Sequence, residues 1–176
     1  PILCFVIEHP QGLLVFDTGL SPAPILNTPH FVVGPSDCPT AVHSAAGMNL
    51  STQMTMAGLK PSDVAWVALS HLHDDHVGDL AAFPNARLLL AHRESLPRVQ
   101  TYRAMGPAGA QHHVGLRTVL IDFPFSSPVR DTDSLSTSYG VDPIGDCALF
   151  LVPTFGHTSG HQSLLVDLAE GPVLLA

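Results

Sequence analysis

With 176 residues, 45% of them hydrophobic and 12% charged, the chain can bury a sizeable core and is expected to form one globular domain over 1–176, incomplete at both its N- and C-termini. Seven basic residues against fifteen acidic ones leave a formal charge of −8, which opposes a nucleic-acid partner. No apolar run approaches the roughly 20 residues that cross a bilayer, so no membrane partner is expected.

A cytoplasmic setting follows as an expectation, because no signal peptide is in view. The chain opens at Pro1 without a methionine, in what reads as a strand already under way, so its natural start is expected upstream. Cys4, Cys38 and Cys147 are odd in number and widely spaced. They suit neither a zinc ribbon nor a redox pair and read as reduced thiols.

Two strands, about Ile2–Glu8 and Leu13–Phe16, flank His9-Pro10-Gln11-Gly12, a turn with Pro and Gly where hairpins want them. Asp17 ends the second strand, either opening a turn with Thr18-Gly19 or serving a site. From 21 to 47 the chain is rich in Pro, Ser, Thr and Gly; Ile25, Leu26, Phe31, Val32 and Val33 either pack on the core or wall a pocket. Leu50–Leu59 reads as a helix stopping near Gly58, and Pro61-Ser62-Asp63 turns the chain into the apolar strand Val64–Leu69.

At that strand's carboxyl end, Ser70-His71-Leu72-His73-Asp74-Asp75-His76 packs three histidines and two aspartates into seven residues. On extended backbone His71 and His73 project to one side and can share an ion, while Leu72 turns back to the core. If the chain then bends into a helix over Val77–Phe83, Asp75 and His76 swing to an adjacent position where a second ion can sit. A loop that merely caps a helix needs one acid and leaves the histidines unexplained.

Further on come a strand at Arg87–Ala91, a helix at His92–Gln100 disturbed by Pro97, and a Gly/Ala-rich connection over 104–115 with His112 and His113 as surface residues. A strand at Val119–Ile121 and a polar loop from Phe123 to Gly145 follow. Phe150–Thr154 then leads through Phe155-Gly156-His157-Thr158-Ser159-Gly160-His161-Gln162 into another strand, Ser163–Val166. Glycines at 156 and 160 let that loop take positive φ and approach a metal closely. His157 can therefore complete a three-histidine set with His71 and His73, the ligand count a catalytic zinc takes while keeping one open position. His161 is either a further ligand or a support. Grouped strands with interspersed helices suit an α/β sandwich.

These motifs, with Val15-Phe16-Asp17-Thr18-Gly19 before them, make the chain resemble the metallo-β-lactamase superfamily over nearly its whole length. Within it the chain is most similar to the N-acyl homoserine lactone hydrolases, the quorum-quenching lactonases. The resemblance implies an αββα sandwich and a hydrolase with two zinc ions at one edge. It assigns His71, His73 and His157 to the first ion, and Asp75 and His76 to the second. Asp75 would also guide the proton of the attacking water, as the catalytic residue. Asp17 would lie beneath the metals and hydrogen-bond a ligand histidine, with His161 in support. The implied substrate is an acyl lactone or related ester, opened by an activated water. The family's bridging aspartate and last histidine are expected beyond Ala176.

Rival readings are a glyoxalase-II-like thioesterase, an iron-dependent oxidoreductase such as a persulfide dioxygenase, and a non-enzymatic binding protein. The di-iron members generally carry Glu where this chain has His73. A serine hydrolase built on Ser159 misses the Gly-x-Ser-x-Gly spacing by one position.

Overall fold

The computed structural model describes residues 2–20, 47–95, 116–123 and 140–176. Cys38, the apolar residues Ile25 to Val33, Pro97, His112 and His113 lie outside them. In chain order the elements are β1 (Phe5–His9), β2 (Gly12–Phe16), α1 (Leu50–Met56), β3 (Val64–Ala68), α2 (Asp74–Val77), β4 (Arg87–Ala91), β5 (Arg117–Ile121), β6 (Leu149–Pro153), β7 (Gln162–Leu168) and β8 (Gly171–Leu175).

The β1–β2 hairpin closes at the pair His9 and Gly12. Gly12 takes φ +127°, and a Cβ there would lie 2.9 Å from the Cβ of Ala65, so both backbone and neighbour demand glycine. β2 then pairs with β3 in parallel, β3 with β4, and β4 with β5, giving a five-stranded sheet in the order β1-β2-β3-β4-β5. Four parallel strands therefore deliver their carboxyl ends to a common edge, the usual place for ligands in such sheets. β6, β7 and β8 form an antiparallel meander.

Alternation along the strands sorts side chains into two cores. Leu14, Phe16, Ala68 and Leu89 face Leu149, Leu151, Leu164 and Val166 of the second sheet. Val15, Val67, Leu88 and Leu90 point the other way, onto Met54, Leu72, Val77, Leu80 and Phe83 of the helical layer. Each fully buried side chain of this size contributes roughly 1.5–3 kcal/mol before the entropy of ordering is subtracted. The result is an α/β sandwich, helical layer on sheet on sheet, with helical segments and connecting loops placing the site at the carboxyl edge.

The helix expected at Leu50–Leu59 ends at Met56 because Gly58 takes φ +84°. The Leu59 N–H then donates to the Met54 carbonyl and the Gly58 N–H to the Thr55 carbonyl. That reciprocal pair is a Schellman stop, and it returns Leu59 to the core. At the other end, the buried Asp79 accepts the Ser51 N–H at 2.7 Å and the Asn49 side-chain N–H at 3.1 Å, capping α1 from a distant part of the chain.

The helix expected at Val77–Phe83 is instead α2, starting right after His73, and a separate 3-10 turn at Leu80–Ala82. Thr18 explains the break. Its N–H and hydroxyl both donate to the His76 carbonyl, at 2.7 and 3.0 Å, and the Gly78 N–H donates to the Gly19 carbonyl, so the turn cannot propagate.

Candidate metal centre

Asp17 organises the site from below. It stands just past β2 with φ +58°, a left-handed conformation that aspartate tolerates better than most residues, and its N–H donates to the Ala68 carbonyl. One carboxylate oxygen accepts the Ser70 N–H at 2.7 Å, and the other accepts the Ser70 hydroxyl at 2.7 Å and His76 Nδ1–H at 2.8 Å. Because the Ser70 proton is committed to the carboxylate, Ser70 Oγ must accept from His71 Nδ1, 2.9 Å away. His71 therefore carries its proton on Nδ1 and its lone pair on Nε2.

That lone pair points at the other histidines. His71 Nε2 lies 2.8 Å from His73 Nδ1, and His157 Nε2 lies 3.1 Å from the same atom. All three ligand atoms fall within 4.8 Å of one another. Zinc–nitrogen bonds of about 2.0–2.1 Å separate tetrahedral ligands by a little over 3 Å, so the donor set fits one such ion. Burial, and after it the charges of His76, His73, His157 and His161, push His71 down to about 2, which keeps its imidazole neutral as a ligand must be.

Asp75 and His76 lie beside this trio. His76 is 4.2 Å from His71 between ring centroids, and its Nε2 sits 3.9 Å from the Asp75 carboxylate. The two carry donor atoms that could hold an ion beside the first set. Burial, the largest influence on His76, would lower its pKa, but the hydrogen bond and charge of Asp17 and the charge of Asp75 outweigh it and raise it. His161 stands behind His71 at 5.1 Å between rings, with its Nδ1 2.9 Å from the Thr154 hydroxyl. Burial and the charge of His157 lower its pKa, against the pull of Asp17 and Glu94.

Several residues at the site carried no role in the sequence. The Ser70 hydroxyl sets the His71 tautomer. Gln162 is fully buried and donates from Nε2 to the carbonyls of Leu69 and Leu89, while its N–H donates to the Ser70 carbonyl, tying β7 to the end of β3 and the middle of β4. Glu94, at the start of the helical segment after β4, holds backbone amides on both histidine loops. An isolated Ser, Gln or Glu has no spacing pattern to mark it. The Ser159 hydroxyl donates to the Arg93 carbonyl and is not aimed at a histidine base.

The family model described as the metallo-beta-lactamase superfamily matches residues 1–176. The chain belongs to that superfamily. An N-acyl homoserine lactonase from a Bacillus species is 29% identical over 180 residues, which cover 99% of this chain and 62% of the relative. The N-acyl homoserine lactonase AttM of Azorhizobium caulinodans is 30% identical, over 99% of this chain and 63% of its own length. Among solved structures, an N-acyl homoserine lactone hydrolase with N-hexanoyl-L-homoserine bound at its catalytic metal centre superposes with a TM-score of 0.72 at 22% identity, over 99% of this chain and 62% of that one. AidC, a dizinc quorum-quenching lactonase, gives 0.56 at 15% identity, covering 96% of this chain and 53% of its own. The chain thus spans less than two thirds of these proteins. No helix among the described residues is long and apolar enough to cross a membrane.

Proposed function

We propose that the intact protein is a zinc-dependent hydrolase that opens the ring of N-acyl homoserine lactones or closely related lactones. The observation that carries this reading is the convergence of His71, His73 and His157, which each bring a ligand nitrogen within 4.8 Å of the others. The names of the relatives support the substrate class. Zinc held there would supply a water acidic enough to react at neutral pH and a Lewis acid for the lactone carbonyl.

The chain's own residues do the rest. Asp17, acting through Ser70, keeps the His71 lone pair inward and holds the His76 ring by its Nδ1–H. Asp75 and His76 offer their free atoms to a second ion, and the partly exposed Asp75 carboxylate takes up the proton that the attacking water gives away. An acyl tail lying along apolar surface would add about 0.8 kcal/mol per buried CH₂. A reducing cytoplasm, where the free Cys4 and Cys147 persist as thiols, belongs to the same proposal.

The test is ring opening of an N-acyl homoserine lactone by the intact protein, before and after chelation, beside His73→Ala and Ser159→Ala. Activity should vanish on chelation and return with zinc, disappear in His73→Ala and survive in Ser159→Ala. Activity indifferent to chelator would overturn the metal reading, and a strong preference for thioesters offered in competition would replace the lactone with the thioesterase reading.

A further inference from the structure

Histidines of the candidate centre come from two loops far apart in sequence, 70–76 after β3 and 154–161 between β6 and β7. The loops belong to different sheets, so the spacing of His157 from His71 and His73 depends on whatever joins them. Besides the contact of His157 with His73 and the Gln162 N–H on the Ser70 carbonyl, one buried side chain takes a backbone amide from each loop. Glu94 is 2% exposed, and its Oε1 accepts the Leu72 N–H at 3.2 Å while its Oε2 accepts the Gly160 N–H at 3.1 Å. Leu72 stands between His71 and His73. Gly160 stands between Ser159 and His161, three residues after His157.

The approach is close enough to specify a second residue. A Cβ at position 160 would fall on the backbone of Glu94, so the loop can reach the carboxylate only with glycine there. Of the two glycines expected to take positive φ, Gly156 does (φ 150°) and Gly160 does not, so Gly160 owes its place to space and not to backbone conformation. Its missing side chain is what lets the second loop settle against Glu94. Ser159 adds a weaker tie, its hydroxyl donating to the Arg93 carbonyl at 3.4 Å. A carboxylate buried this deeply is costly unless its oxygens are paired, and here each oxygen takes one amide, one from each loop.

We propose that Glu94 is a positioning residue for the metal centre: its two carboxylate oxygens clamp the backbone of the two histidine loops and so set the separation of His157 from the His71–His73 pair. The inference rests on the metal reading above. Gly160 completes the clamp. Glu94 acts through the two loops whose amides it accepts.

The conservative variant Glu94→Gln separates positioning from simple packing. It keeps the shape and one acceptor oxygen but turns an NH₂ toward the second amide, releasing one loop. Zinc affinity of the intact protein and of the variant, measured by competition with a chromogenic chelator, should differ by about 10–100-fold, the usual penalty for losing a contact that orients ligands. Cobalt substituted for zinc should show an altered visible band in the variant. Equal zinc affinity in Glu94→Gln, with or without a lower unfolding temperature of the metal-free protein, overturns the proposal, because a residue that only packs lowers stability and leaves the affinity alone. Should Glu94→Gln fail to fold, Glu94→Asp is read by the same affinity criterion, since it keeps both oxygens on a stem one methylene shorter and must draw the loops out of place. Wild-type protein that binds no zinc overturns the metal reading itself, and the clamp with it.

Discussion

Asp17 and Ser70, 53 residues apart in sequence, meet through a 2.7 Å hydrogen bond in which the serine hydroxyl donates to the carboxylate. This one bond dictates the protonation of the site. It commits the serine proton, obliges His71 to donate from Nδ1, and leaves Nε2 bare toward His73 and His157.

Asp17→Asn should break that chain of donors. The amide would turn its own N–H groups on at least one of Ser70 and His76, leaving a buried donor unmatched at a cost on the order of 1–3 kcal/mol. Zinc affinity should fall about 10–100-fold. Chelator competition and urea unfolding on the same preparation check both parts. Ser70→Ala, which removes the link to His71 but spares the contact between Asp17 and His76, should lower zinc affinity with a smaller loss of stability.

Acid should weaken the metal-free protein. His71 is held down to about 2 in the fold, first by burial and then by its histidine neighbours, against an ordinary value of 6.5. Its contribution is fully present above pH 6.5 and is lost as pH falls from there toward 2, because the unfolded chain takes up the proton first. His161, also lowered, acts in the same direction. His76 is raised, so its contribution is present below 6.5 and lost as pH climbs through its folded value. Below 6.5 the His76 contribution is already complete and the two lowered groups act alone, which predicts a net loss of stability between pH 6.5 and 5. His71 alone contributes a slope of at most about 1.4 kcal/mol per pH unit below 6.5. Urea midpoints across that range should fall with acid, and the slope should shrink in His71→Asn. Midpoints that rise on acidification would contradict the assignment.

The ends of α1 allow a prediction confined to stability. Asp79→Ala removes the carboxylate that accepts the Ser51 N–H and should cost roughly 0.5–2 kcal/mol, the usual value of a lost N-cap. Gly58→Ala meets open space but must adopt φ +84°, and should cost about 1 kcal/mol. Thermal melts of the single and double variants should show the two losses adding, since the residues sit at opposite ends of the helix.

Much of this was legible in the residues. The apolar runs ending in His71-Leu72-His73 and leading into Gly156-His157 announced strands, loops and a shared donor set, because alternation and histidine spacing leave a periodic trace. The early stop of α1 was half visible: Gly58 marked it, but the exact last residue depends on Leu59 returning its N–H to Met54. The early end of α2 after Val77 was not visible, since the turn is cut short by Thr18, just past β2, a contact no local pattern encodes. Glu94 and Gln162 were hidden for the same reason. Each acts across the fold by one or two hydrogen bonds, and a single polar residue in a short apolar or helical segment looks like any other until its partners are in place.

The most direct measurement is anomalous diffraction at the zinc edge from crystals of the intact protein grown with zinc. A peak about 2.0–2.1 Å from His71 Nε2, His73 Nδ1 and His157 Nε2 together is the predicted result. An anomalous map with no peak among those three atoms, or with zinc bound only elsewhere, would contradict the account.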